Sequence, residues 1–379
     1  MRRWLYSLVL LAGLSALAAC SSEEKEAPAS PPPAATAKAG WEQEWDQVVA
    51  AAKREGKVSV LMSAGDDMRK GITQPFEKKY GITVEVLVSG SGVDLGPRLQ
   101  TERTAGQYLW DVLIHGTSIH LYIIKPLGAL DPLEPALILP EVKEGKGWFG
   151  GKFPWVDKDR TSATALLGSI GAFYVNPNMV KAEDFKSYKD LLDPKWKGKI
   201  AVFDPTIPGA GLAAFTYYYQ NKDLGPEFIR ALAAQQPTFT RDYQEQLQWL
   251  AQGRFPIAVG VHGSIAKVMR EAGAPLKAVD PAQMREGGFL ASAIGTVGLV
   301  NKAPHPNAAK LYVNWLLSKE GQTEMSRGAA YASARVDIPT NHLEPWELPK
   351  QGFFLIDTEE GRALENEKVK ALVAQVFGQ

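Results

Sequence analysis

Apolar and polar positions alternate between two rhythms along this chain. Residues 42–55, "EQEWDQVVAAAKRE", carry apolar residues at helical spacing and end at Gly56. "KVSVLMSAG" (57–65) is a continuous apolar run that closes in a small-residue turn, the pattern of a buried strand. "DDMRKGITQPFEKKYG" returns to helical spacing and stops at Gly81. "ITVEVLVSGSG" (82–92) reads as a second strand, "VDLGPRLQTERTAG" as a helix and "YLWDVLIHGTS" (108–118) as a third strand. Strands alternating with helices predict right-handed βαβ units and a largely parallel sheet, an α/β fold.

The rhythm breaks after residue 130. Residues 130–159 are irregular and rich in Pro and Gly, and 161–176, "TSATALLGSIGAFYVN", form a long small-to-apolar run able to cross between two bodies. Residues 187–211 carry turn, strand and loop signals, and "PGAG" opens a helix over 212–220. "GRFPIAVGVHGS" (253–264) is a strand running into a polar turn before a helix at 265–272. "TVGLVNKAPHPNAAKLYVNWLLSKEGQ" (296–322) is a strand, a Pro-bounded loop and an amphipathic helix. Three early strands end in "SAGDD", "SGSG" and "HGTS", all small residues with spare N–H and hydroxyl donors. Ligands of parallel α/β sheets bind outside such carboxyl ends.

Composition narrows the function classes. The 379 residues suffice for two lobes, and 42 basic residues balance 42 acidic ones, so charge gives no argument for nucleic acid. Arg2, Arg3 and the apolar run at 7–19 form a secretory signal, too short to span a bilayer. "LAAC" ends at Cys20, the single cysteine of the chain, and resembles the lipobox of bacterial lipoproteins, in which that cysteine is acylated. A chain without further cysteine has no disulfide and no thiolate metal site. Residues 21–40 lack large apolar side chains and read as a disordered tether. The expected placement is on the outer side of a membrane, in the cell envelope, held by lipid.

"GSIGAFYVNP", "LLDPKWKGKIAV", "DPTIPGAG" and "LVNKAPHPNAAKLYVNWLLSKEGQ" together resemble the periplasmic solute-binding proteins of bacterial ABC importers, in particular the group with ferric-ion-binding proteins. The resemblance covers almost the whole body. It implies a two-lobed type II fold of two mostly parallel sheets flanked by helices, joined at a hinge. After a signal over 1–19 and a lipidated tether over 20–40, it implies lobe 1 over 41–170 with 263–300 returning to it. Lobe 2 is then 171–262, with 301–379 largely returning to it. It further implies a monomer that binds a small molecule or ion, delivers it to ABC permease and ATPase subunits, needs no cofactor and catalyses nothing.

Ferric-binding relatives hold iron with two adjacent tyrosines after the strand returning from the second lobe. Here that strand, "FPIAVGV", is followed by His262, Gly263 and Ser264. Tyr217, Tyr218 and Tyr219 lie inside the helix after "PGAG", where neighbours project about 100° apart and cannot converge on one ion. No HExxH-type pair is present, and no metal ligands are assigned. The candidate cleft residues are Ser63, Asp66, Ser89, Ser91, Thr117, Ser118, Tyr174, Gly209, Gly211, His262, Ser264 and Arg335. Several precede helix N-termini, which suit an anion, and Arg335 could either fork onto a ligand carboxylate or phosphate or form a surface salt bridge near Asp337. Asp66 and Asp67 could cap their helix or meet a cation. The expected ligand is therefore a small anion, organic acid or metal chelate. One alternative is a ferric-iron-binding transport protein whose site is not a tyrosine pair. The other is a lipid-anchored hydrolase, against which stand the missing G-x-S-x-G elbow and the i, i+2 spacing of His262 and Ser264.

Overall fold

The computed structural model describes residues 40–379 apart from 64, 90–93, 293, 357, 379 and the side chains of 360–366. The expected signal, Cys20, the tether and Ser91 lie outside the described residues.

The body opens with α1 (Gly40–Glu55), β1 (Lys57–Met62), α2 (Asp66–Tyr80), β2 (Thr83–Val88), α3 (Leu95–Thr104) and β3 (Val112–His115). β1 pairs in parallel with both β2 and β3. It is buried at every residue but its first, so its sequence runs apolar instead of alternating. A helical stretch then leaves β3. It begins as α4 (Thr117–Ile119) and continues through a π turn (His120–Ile124) and a 3₁₀ turn (Lys125–Leu127) to β4 (Leu130–Asp131). α5 (Pro140–Lys143) lies in the irregular stretch that follows.

The run at 161–176 is shared among three sheets. β5 (Ser162–Thr164) joins the first sheet, β6 (Gly168–Ser169) a small linking sheet and β7 (Tyr174–Val175) the second sheet. The second lobe continues with β8 (Ile200–Phe203), α6 (Ala210–Gln220), α7 (Gly225–Ala234), β9 (Thr238–Thr240), α8 (Tyr243–Ala251), β10 (Ile257–Val259), α9 (Gly263–Glu271) and β11 (Lys277–Ala278). Its strand order is β11-β7-β10-β8-β9, parallel across β10, β8 and β9 and antiparallel at β7. β12 (Phe289–Ala291) adds to the linking sheet, and β13 (Thr296–Val300) re-enters the first sheet antiparallel to β3, β4 and β5. α10 (Pro306–Leu317), α11 (Lys319–Ala329), β14 (Phe354–Leu355) and α12 (Glu359–Phe377) complete the chain, with β14 the third linking strand. Both main sheets are thus mixed, each with a parallel centre.

Two expected lobe assignments are corrected. Of 263–300, only β13 belongs to the first sheet. Ala266 of α9 and Ala278 of β11 pack with Tyr174 in the second lobe. Of 301–379, α10 and α11 belong to the first lobe, against α1 and α2. The reason is the apolar payload of α10. Leu311, Tyr312, Val313, Trp315, Leu316 and Leu317 are all buried in the first core, and the Tyr312 hydroxyl donates to Ile72 O at 3.0 Å. The later part of that segment does return to the second lobe: Trp346 packs against Tyr174, and Ile356 and Val369, Leu372 and Val373 of α12 are buried in the second core.

The linkers aim the site. Thr296 of β13 lies opposite His115, the last residue of β3, and Tyr174 of β7 lies opposite Ala258 of β10. The chain therefore meets each sheet at the carboxyl ends of its parallel strands, and the two sets of strand ends share the linking segments.

The α2–α11 contact is backbone-close. A methyl group at Gly71 would stand 2.7 Å from the Glu324 carbonyl oxygen. Gly71→Ala is expected to force the helices apart and destabilise the protein by about 1–3 kcal/mol, measured by urea unfolding. An unchanged midpoint would contradict this packing.

Candidate functional site

The first lobe supplies three strand ends. Ser63 follows β1, is buried, and its hydroxyl has no hydrogen-bond partner. Ser89 follows β2, and its hydroxyl donates to Asp94 Oδ1 at 2.6 Å, a bond that holds the Asp94 carboxyl below its usual range. His115 closes β3 and joins two of these ends. Its Nε2 meets Ser89 O at 3.0 Å, and its Nδ1 accepts from Gly116 N at 2.9 Å. That pair of contacts requires the neutral Nε2–H tautomer. Thr117 is buried, and its hydroxyl lies 2.7 Å from that of Thr296, which lies 2.9 Å from that of Ser292. A hydroxyl line thus runs from α4 to the linking segment. Ser118 is half-buried and not free.

Asp66 and Asp67 differ from the capping role. The cap is Gly65, and both acids sit exposed in the first turn of α2, paired with Arg69 at 3.4 Å and Lys70 at 3.5 Å. Their charge still favours that helix end.

The second lobe supplies the charged part. Asp204 follows β8 and is buried. Its Oδ1 accepts from Thr206 N at 2.8 Å and Thr206 Oγ1 at 2.6 Å, and its Oδ2 accepts from Arg241 Nε at 2.7 Å. Burial would raise the Asp204 carboxyl, but these donors outweigh it and keep it below the usual range. Arg241 follows β9 with a side chain 68% exposed, and its two Nη groups have no partner among the described residues. The result is a guanidinium fixed at its inner edge with an open outer fork, the geometry that takes carboxylate or phosphate in two parallel bonds.

α6 starts beside this fork. Gly209 adopts a φ of 151°, and a side chain there would run into the Tyr243 hydroxyl. Gly211 presses against the Phe203 carbonyl, which leaves no room for a Cβ. Tyr243 stacks on Phe203 with centroids 3.7 Å apart and accepts from Ala210 N at 2.9 Å. The next amides of the helix, at Gly211 and Leu212, have no intrahelical acceptor. His262, which precedes α9, stands edge-on to Tyr243 at 5.0 Å, with its Nδ1 buried and unpartnered. Burial lowers its pKa, so it is a neutral imidazole at pH 7. Ser264 is half-buried in the first turn of α9. Tyr174 is buried in the sheet, its ring against Trp346, and burial raises its phenol.

Arg335 takes the second of its two expected roles, the pairing near Asp337. It is buried in the first lobe over Trp148. It makes a fork to Asp337 at 2.9 and 2.8 Å and donates to Glu141 O at 3.0 Å. All its directions are used within the protein, so it is a structural residue. The tyrosine triplet is likewise structural. Tyr217 and Tyr218 are buried in the second core, Tyr219 is half-buried, and burial raises the Tyr217 and Tyr218 phenols far from the phenolate form a ferric ion needs. Among the described residues, no three His, Cys, Asp or Glu side chains form a metal-sized group. A cavity of about 670 Å³ beside Lys181, Lys189 and Trp196 lies in the segment before β8, at the opposite end of that strand from the candidate site.

Sequence reading missed Asp204, Thr206, Arg241, Tyr243 and His115. The strand-end rule finds Arg241 once "TFT" at 238–240 is recognised as a strand, but three residues are too few to read by period.

A strand-end site shared by two α/β lobes is the arrangement of a binding protein, and comparison with known families agrees. The family model described as bacterial extracellular solute-binding protein matches residues 71–349. This chain belongs to that family. A putative 2-aminoethylphosphonate-binding periplasmic protein of Salmonella typhimurium is 25% identical over 268 residues, 69% of this chain and 73% of that one. The periplasmic binding protein AfuA of Actinobacillus pleuropneumoniae, solved with fructose-6-phosphate bound, is 24% identical with a TM-score of 0.63, covering 85% of this chain and 99% of that one. Ferric iron-binding protein A of Mannheimia haemolytica, in an open conformation, is 17% identical with a TM-score of 0.68 over 86% of this chain and 99% of that one. The two-lobed type II fold and the ferric-binding neighbours are therefore those the resemblance implied; the AfuA neighbour lies beyond it.

The buried histidines of this family member give a pH prediction. Burial lowers the pKa of His115 and His262, and pushes His120 down to about 3. Lowered folded values mean the unfolded chain takes up protons first, so stability is lost as pH falls below about 6.5. Each such histidine contributes up to about 1.4 kcal/mol per pH unit. Urea unfolding between pH 7.5 and 5 is expected to show this decline. A flat profile would contradict the buried neutral state.

Proposed function

We propose that this solute-binding protein captures a small organic anion between its lobes, and that the Arg241 fork, braced by Asp204, binds the anionic group. The observation that carries the reading is a buried carboxylate holding Arg241 Nε at 2.7 Å while both Nη groups stay unpaired beside the start of α6. The neutral His262 and the hydroxyls of Ser63 and Thr117 complete a donor-rich lining that suits phosphonate, phosphate-ester or carboxylate oxygens.

Relatives support the same chemistry. The Salmonella protein is named for 2-aminoethylphosphonate and AfuA was solved with fructose-6-phosphate, both phosphorus oxyanions. The lipobox at Cys20 supports anchoring to the outer face of a membrane. From there the protein would hand its ligand to ABC permease and ATPase subunits as a non-enzymatic monomer.

A thermal-shift panel of 2-aminoethylphosphonate, fructose-6-phosphate, inorganic phosphate, citrate, ferric citrate and spermidine tests the ligand class. An anion in the panel is expected to raise the Tm, by an amount equivalent to about 2.7 kcal/mol at 100 times its Kd. Arg241→Gln is expected to weaken that anion at least ~10-fold, and Arg241→Lys to restore little, since lysine lacks the fork. A response to spermidine alone, or an anion response that Arg241→Gln leaves intact, would overturn the reading.

A further inference from the structure

α12 belongs to one lobe over its C-terminal half and is bonded to the other at its first residue. Val369, Leu372 and Val373 are buried in the second core, and Phe377 packs on Phe215 and Phe239 of that lobe. Glu359, where the helix begins, makes its bonds among the described residues to the first lobe. Its backbone N donates to Val156 O at 2.9 Å, its Oε2 accepts from Lys158 N at 3.2 Å, and its Oε1 accepts from Lys125 Nζ at 2.8 Å. Val156 is tied in turn to Ser162 of β5, in the first sheet.

Lys125 is a hub. Its ammonium reaches Asp157 Oδ2 at 2.8 Å and Asp159 Oδ2 at 2.9 Å as well as Glu359. Asp157 has a buried carboxylate that also takes Thr161 N, Thr161 Oγ1 and Ser162 N. Ser162 Oγ lies 2.9 Å from His120 Nδ1, within the helical stretch that starts at Thr117 in the binding site. Burial alone would lower the Lys125 pKa, but the three carboxylates outweigh it and raise it, so the ammonium is permanent. A bonded path thus runs from the site-facing helix through Lys125 to the head of α12.

We propose that Glu359 and Lys125 form an interlobe latch that pins the head of α12 to the first lobe and so restricts the resting separation of the two lobes. The inference rests on the reading that the lobes close on a solute. A helix embedded in one lobe and pinned to the other by its first residue must pivot at that pin when the lobes move. The linking sheet gives the remaining connection, and β14 leaves it only four residues before Glu359, counting from Leu355. The pin therefore controls the direction in which the second lobe leaves the hinge. Asp159 contacts the same lysine but lies on the first lobe alone, so it contributes charge without spanning the lobes.

The test uses the full chain in detergent, with spin labels on an exposed residue of each lobe and no ligand, so that it reads lobe separation whatever the solute is. Glu359→Gln is expected to broaden the interlobe distance distribution, while Asp159→Asn, which removes the same charge from the same lysine, leaves it as in the wild type. Raising salt from 0.05 to 0.5 M is expected to broaden the wild type towards Glu359→Gln and to change that variant less, a comparison free of any folding defect. Equal distributions for wild type and Glu359→Gln, or equal broadening in both variants, would overturn the latch. Repeating the measurement with 2-aminoethylphosphonate and with citrate separates the two readings. Broadening by Glu359→Gln with no narrowing by either anion keeps the latch and counts against the anion reading.

Discussion

The structure depends on how residues 161–176 are divided. One short run supplies a strand to each of three sheets, and its register with β13 and β10 brings the carboxyl ends of both parallel centres to the same linking segment. Small residues make this possible. Ser162, Ala163, Gly168 and Ser169 are buried in close-packed surroundings, and a Cβ at Gly168 would press on the Tyr331 ring at 2.8 Å. Once the strand ends share that segment, hydroxyls, helix N-termini and a guanidinium borne on separate elements can serve one ligand.

Charge is distributed unevenly across this arrangement. The first lobe contributes neutral donors, ordered by His115 and by the Thr117–Thr296–Ser292 line. The second contributes a cation whose position is fixed by a buried acid. On the proposed reading, an anion would meet its strongest electrostatic partner on one lobe and its hydrogen-bond complement on the other, which would reward closure around it. The same division explains why the tyrosines contribute nothing to the site. They fill the core under α6, whose first turn, and not its middle, reaches the strand ends.

Much of this was legible locally. The apolar run of β1, the alternation with α2, β2 and α3, and the strand-end rule led to Ser63, Ser89 and Thr117. The "PGAG" signal led to the start of α6. What failed was non-local. Arg335 reads equally as a ligand fork or as a salt bridge near Asp337 until Glu141 and Trp148, some 190 residues away, are seen around it. α10 and α11 follow the second crossing in sequence, yet their burial needs are met only by α1 and α2. Asp204 and Arg241 are 37 residues apart, each just past the end of one of two adjacent strands, the second of them three residues long. Periodicity cannot report a partnership of that kind.

The most direct test of the central claim is native mass spectrometry, with elemental analysis, of the protein purified without chelators. The account predicts a bound organic anion on the wild type that is lost from Arg241→Gln. A stoichiometric metal without an organic partner, or a bound cation such as a polyamine, would contradict it.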